Sequence, residues 1–209
     1  MKHLTNFIAA LALSAGLTSA AQAAIITFDG GVGGGPAATA YTEDGFTLRL
    51  VGGTGFVGDY YGAGNSVIHA HWDAGDYGSV TAIEITKVGG GTFDLNYFIL
   101  TSNTDVGGGA ASGLEQAWVE GYANGVSTGA AVRLPSENWG FPATQVLLGG
   151  HFDTVDLVRF FTTNAVDCFG MDEFYIDQAA PISVPEPASM VLTAMALTGL
   201  WAQRRRSRG

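Results

Sequence analysis

The chain has a single cysteine, Cys168, among 209 residues. An internal disulfide is excluded, so any fold must be held by its core. A buried free cysteine behaves as a small hydrophobe. No base stands beside Cys168 in Val166-Asp167-Cys168-Phe169, so the thiol is expected to pack inertly. Cations are also scarce. Nine Lys and Arg face nineteen Asp and Glu, for a net charge of −10. Between residues 24 and 180, only Arg49, Lys87, Arg133 and Arg159 oppose eighteen carboxylates, leaving that stretch near −14. Such a surface repels phosphate backbones, which argues against nucleic acid as a partner. No amphipathic helix of useful length lies between the termini. The run Gly30-Gly31-Val32-Gly33-Gly34-Gly35 has neither a following helix nor a Lys-Ser/Thr pair, so it is no phosphate cradle.

Glycine is plentiful, with 31 residues, many of them clustered. Glycine takes positive φ at little steric cost and so punctuates turns. Between the clusters lie short β-branched and aromatic runs. Phe46/Leu48/Leu50 and Phe93/Leu95/Tyr97/Ile99 alternate at the strand period. Many short strands with Gly-rich turns predict an all-β chain, a two-sheet antiparallel β-sandwich spanning residues 24–180 as one domain. The expected strands include 25–28, 46–51, 67–72, 80–88, 93–101, 117–123, 130–134, 145–148, 155–162 and 173–176.

The termini read differently. Lys2 and His3, an apolar stretch from Phe7 to Leu17 and Ala21-Gln22-Ala23 form a Sec-type signal peptide, a helical leader over residues 1–23. Its implied partners are the Sec translocon and signal peptidase. At the other end, Pro185-Glu186-Pro187 closes a Pro-containing linker over 181–187. An uncharged apolar segment follows over 188–203, then a basic tail over 204–209 with Arg204, Arg205 and Arg206. That segment is short for a membrane helix, which wants about 20 residues. The arginines favour a cytoplasmic end.

Pro-Glu-Pro, a short apolar helix and a terminal arginine cluster resemble the PEP-CTERM sorting signal of exported proteins in Gram-negative, exopolysaccharide-producing bacteria. The resemblance implies recognition by an exosortase, a membrane protease that processes the tail. It further implies transient anchoring in the inner membrane by the C-terminal transmembrane helix, then delivery to the cell surface or extracellular matrix. The middle of the chain is similar, more loosely, to jelly-roll and lectin-like β-sandwiches. The shared patterns are Ile26-Thr27-Phe28-Asp29, Gly91-Thr92-Phe93-Asp94-Leu95, Glu120-Gly121-Tyr122-Ala123-Asn124-Gly125 and Phe169-Gly170-Met171-Asp172-Glu173-Phe174. This second resemblance implies a structural calcium where the first and last strands meet, with Asp29 and Asp172 as ligands.

Three candidate sites come from the residues themselves. In a strand, His69, His71 and Asp73 share one face and could begin a transition-metal site. The spelling matches part of the His-x-His-x-Asp-His signature of metallo-β-lactamase-like hydrolases, but Ala74 stands where that signature needs His. The preferred reading is a solvated polar strand face. His151-Phe152-Asp153 repeats the pattern on another expected strand. Tyr60, Tyr61, Glu137, Asn138 and Trp139 combine loop aromatics with polar groups, the ingredients of carbohydrate contact. Trp72 and Trp118 are expected in the core.

The expected function is that of an exported, non-enzymatic surface or matrix protein, adhesive or carbohydrate-contacting, with exopolysaccharide as a partner. The alternatives are a polysaccharide-active enzyme and a purely structural surface component. For an enzyme, two carboxylates would have to converge, and eighteen acids nominate no pair.

Overall fold

The computed structural model describes residues 23–31, 37–60, 64–72, 79–164 and 166–178. Nearly all of the signal peptide, the whole sorting tail, Tyr61 and Asp73 lie outside the described residues. No helix among the described residues is long and apolar enough to cross a membrane.

The strands in chain order are β1 (Ala24–Ile26), β2 (Ala40–Glu43), β3 (Phe46–Val51), β4 (Phe56–Asp59), β5 (Ser66–His71) and β6 (Ala82–Lys87). They continue as β7 (Leu95–Thr104), β8 (Gln116–Ala123), β9 (Val126–Ser127), β10 (Val132–Arg133), β11 (Thr144–Leu147), β12 (Leu157–Asn164) and β13 (Cys168–Ile176). They form two antiparallel sheets. One runs β11-β7-β13-β5-β4 with β1 on β13, and the other β10-β8-β12-β6-β3-β2 with β9 on β8. The expected all-β, two-sheet architecture is therefore present.

Alternation decides which face each strand buries. In β3, Phe46, Leu48 and Leu50 are buried while Thr47, Arg49 and Val51 are not. Register then aligns core positions, with Leu48 opposite Ile85 and Val158 opposite the same Ile85. The sheets meet through aromatic rings. Phe160 of β12 stands edge-on to Phe98 of β7 at 5.1 Å and to Phe174 of β13 at 5.8 Å. Phe98 and Phe174 stack on each other at 5.5 Å. Each fully buried Phe contributes roughly 1.5–3 kcal/mol of transfer free energy.

The outer face of the second sheet is a charge ladder. Arg49, Glu84, Arg159 and Glu120 fall in one cross-strand row. Arg49 pairs with Glu84 at 3.0 Å, and Arg159 reaches the same carboxylate at 3.9 Å. Lys87 lies 3.8 Å from Asp177 and over the Phe46 ring. Arg133 donates to the Glu115 carbonyl at 2.8 Å. Every cation of the domain is thus committed to the fold.

Several expectations are corrected. β2, β4 and β9 fall outside the expected strands. Asp44 and Gly45 join β2 to β3 with φ of 46° and 81°, and Asn124 and Gly125 join β8 to β9 with φ of 51° and 76°. Positive φ at both central residues is the type I′ hairpin signature. β13 begins at Cys168, not at Glu173. His151-Phe152-Asp153 is not a strand; Gly150–Phe152 forms a 3-10 turn with Phe152 buried. Trp72 is core, packed on Phe169 at 5.3 Å. Trp118 is not. It is half-buried on the outer face and donates to Thr163 Oγ1 at 3.1 Å.

Candidate functional site

The first sheet's outer face differs from the charge ladder opposite. Register places Cys168 of β13 opposite His71 of β5 and Gly170 opposite His69. Residues two apart in a strand share a face, so His69 and His71 point together toward Cys168. Their ligand atoms all lie within 4.8 Å of one another. Cys168 Sγ is 3.8 Å from His71 Nε2, and His71 Nδ1 is 3.1 Å from Asp167 Oδ1. Exposure is 0% for His69, 5% for His71 and 1% for Cys168. Burial, and then the neighbouring His71, hold the His69 pKa well below the usual imidazole range.

Two expectations change here. His69 and His71 are not on a solvated face but are covered. Cys168 is buried as expected, yet it is not without a base, because strand pairing delivers His71 from 97 residues away. Asp73, the third member of the expected histidine cluster, lies outside the described residues.

Loops cover this face. Glu137 exchanges backbone hydrogen bonds with Asn103, Trp139 N–H donates to Gly109, and Gly140 N–H donates to Thr101. The segment therefore runs along β7 and carries Trp139 over the sheet. Tyr60 lies 4.5 Å from the His69 ring and 4.2 Å from Phe56, with Trp139 edge-on to it at 6.3 Å. Trp139 remains 37% exposed. Asn138 is exposed beside it and accepts from Ala111 N–H at 3.0 Å. Tyr60, Glu137, Asn138 and Trp139 are thus brought to one rim. Tyr61 lies outside the described residues.

A buried acid escaped the sequence reading. Glu115 is fully buried. It accepts from Ser112 N–H at 2.7 Å, Gly113 N–H at 2.9 Å and Ser136 Oγ at 2.5 Å. Burial alone would raise its pKa. The bonds from Ser136, Ser112 and Gly113 outweigh burial and pull it down to about 2. The signal was the Ser112-x-x-Glu115 spelling, in which a Glu reaches back to the backbone N–H three residues earlier. Here it ties a loop rather than a helix.

The Asp29 carboxylate is near enough for its charge to act on Asp172. Asp172 is half-buried and its pKa is raised to about 6, first by burial, then by Glu173, then by Asp29. Glu43 lies close by and accepts from Thr27 and Phe28 N–H at 3.2 and 2.9 Å. Among the described residues, the His, Cys and carboxylate groups whose ligand atoms converge three at a time are those of His69, His71 and Cys168.

Two arrangements look enzymatic in spelling. Cys168, His71 and Asp167 follow the order nucleophile, base and orienting carboxylate, but the sulfur is buried beneath the loops. Gly125-Val126-Ser127-Thr128-Gly129 spells Gly-x-Ser-x-Gly, yet Ser127 sits in a hairpin strand and its Oγ donates to the Gly129 carbonyl at 2.6 Å. A nucleophile elbow needs a strand-to-helix turn.

No protein-family model matches the chain, and no curated protein matches it. Among solved structures, the chain is similar to a mutant of the family 29 carbohydrate-binding module CBM29-2, with 15% identity, 78% of this chain and 100% of that one covered, and a TM-score of 0.39. It is similar to CBM29_1, a family 29 carbohydrate-binding module from Piromyces equi, with 13% identity, 78% and 97% coverage and a TM-score of 0.40. It is also similar to the cleaved adhesin domain of Lys-gingipain from Porphyromonas gingivalis, with 14% identity, 74% and 96% coverage and a TM-score of 0.34.

Proposed function

We propose that this chain is an exported, non-enzymatic surface protein that contacts carbohydrate through the rim formed by Tyr60 and Trp139. The observation that carries the reading is the exposed Trp139 ring, held edge-on to Tyr60 by a backbone segment clamped along β7. A ring fixed by its backbone can stack on a sugar face with little ordering cost. Glu137 and Asn138 supply adjacent polar groups. A burial-locked thiol and a domain without free cations suit a binding or structural role better than turnover.

The same proposal includes the route of export. The signal peptide directs the chain through Sec, and the Pro185-Glu186-Pro187 signal with its arginine tail directs it to an exosortase. The C-terminal helix anchors it in the inner membrane until it is processed to the surface or matrix.

A glycan array with the full chain tests the binding reading. Bacterial exopolysaccharide fragments are expected to bind, and Trp139→Ala is expected to weaken binding by at least tenfold, from the roughly 1.5 kcal/mol of a lost aromatic contact. Equal binding by the variant would overturn the assignment to this rim. Replacing Pro185, Glu186 and Pro187 with alanine in the producing cell is expected to block tail processing. Unchanged processing would remove the exosortase.

A further inference from the structure

The outer face of the first sheet carries more chemistry than sugar contact needs. Two imidazoles and a thiol converge beneath Tyr60, and none of the three reaches the exposed rim.

The geometry suits a metal ion. Around a tetrahedral ion with metal–sulfur near 2.3 Å and metal–nitrogen near 2.0–2.1 Å, the S···N edge is about 3.6 Å. Cys168 Sγ and His71 Nε2 stand 3.8 Å apart, so that edge is within tenths of an ångström of the tetrahedral value, and the ligand atoms of all three residues lie within 4.8 Å of one another. Metal-bound histidines usually donate their other ring N–H to a carboxylate. His71 presents Nδ1 to Asp167 Oδ1 at 3.1 Å, which directs Nε2 toward the sulfur. The site is covered on one side. A β carbon on Gly107 would lie 2.9 Å from Asp167 Oδ2 and 3.8 Å from Cys168 Sγ, so the loop backbone packs directly on the pair.

The ligand set narrows the ion. Thiolate with imidazole selects zinc or copper over the oxygen-seeking calcium and magnesium. Three protein ligands suit zinc with one exogenous ligand, or copper in a trigonal site. A nucleophilic reading of Cys168 leaves His69 without a role and needs a substrate to reach a buried sulfur. An ion needs neither.

We propose that His69, His71 and Cys168 form a binding site for a borderline-soft d-block ion, zinc or copper, with Asp167 positioning His71. The site is separate from the sugar rim in its ligands and does not depend on the carbohydrate reading.

The test uses the full chain, reduced and stripped with chelator, with folding checked by circular dichroism. It is titrated separately with cobalt(II) and copper(II). One equivalent of cobalt is expected to give a thiolate-to-metal charge-transfer band and tetrahedral d–d bands. Stoichiometric displacement of cobalt by zinc assigns the zinc ion, and a thiolate band with copper alone assigns copper. Cys168→Ser is expected to abolish the bands. His69→Gln and His71→Gln are each expected to lower affinity by on the order of 100-fold. Asp167→Asn is expected to keep the bands while lowering affinity roughly 10–100-fold. Absence of a thiolate band with both metals in folded wild-type protein overturns the proposal. So does a band that survives in Cys168→Ser, or affinity unchanged in both histidine variants. Where a variant fails to fold, protection of the wild-type thiol from a disulfide reagent replaces it. Zinc or copper is expected to slow the reaction at least tenfold, and an unchanged rate counts against the site.

Discussion

Glu115→Gln probes the one fully buried acidic residue among the described residues. The substitution keeps the shape but removes the charge and one acceptor oxygen. Glu115 is held at about 2 against an ordinary value of 4.5. A drop of that size corresponds to about 3 kcal/mol at roughly 1.4 kcal/mol per unit. Glutamine keeps one acceptor oxygen, so the expected loss is at the lower end of what a hydrogen bond to a charged group contributes, about 1.5 kcal/mol. The sign follows from proton linkage. The folded state holds the carboxylate ionised more strongly than the unfolded state, so the stabilisation is complete above about 4.5 and is lost as pH falls toward about 2. Urea unfolding of wild type and variant at pH 7 and at pH 2.5 measures it. The variant is expected to lose about 1.5 kcal/mol at neutral pH, and the gap is expected to narrow in acid. A gap of the same size at both pH values would refute the charged-acceptor account and leave shape alone as the cause. No gap at neutral pH would mean that water satisfies Ser112, Gly113 and Ser136 equally well.

Other perturbations test the fold and the acidic pair. Phe160→Ala removes the ring that bridges Phe98 and Phe174, and is expected to cost about 3–5 kcal/mol in denaturant unfolding. Gly45→Ala meets no atom within 4 Å, so its expected cost of about 1–2 kcal/mol is backbone strain alone at φ of 81°; a neutral result would show that the hairpin turn relaxes. Asp172 is raised to about 6 from 3.8, so it destabilises the fold increasingly as pH climbs through that window. Because the group is half-buried, Asp172→Asn is expected to gain only about 1 kcal/mol at pH 7 after screening. Millimolar calcium is expected to raise the melting temperature of wild type but not of this variant. No calcium effect on wild type removes Asp29 and Asp172 as a calcium pair.

Much of the sandwich was legible because a strand buries every second residue. Phe46/Leu48/Leu50 announced β3, and the apolar positions of β6, β7 and β12 announced theirs. β2 and β9 were legible in principle, since Asp44-Gly45 and Asn124-Gly125 are the residue pairs that type I′ hairpins require. β4 was not, because Phe56-Val57-Gly58-Asp59 is short and buries three consecutive residues, leaving no alternation to read. His151 misled because a His-x-Asp spelling is compatible with a strand, whereas buried Phe152 instead anchors a 3-10 turn.

Composition and local pattern alone determined that the stretch over residues 24–180 is all-β, without an internal disulfide and strongly acidic. They also determined that His69 and His71 point the same way, because period-two geometry is a property of the strand itself. What lies opposite them is not a local property. Only the pairing of β5 with β13 placed Cys168 against His71 and Asp167 behind it, and only the segment clamped along β7 set Trp139 over Tyr60. Those contacts join residues far apart in the chain, and register between distant strands is fixed by the packing of the whole core rather than by any stretch of sequence.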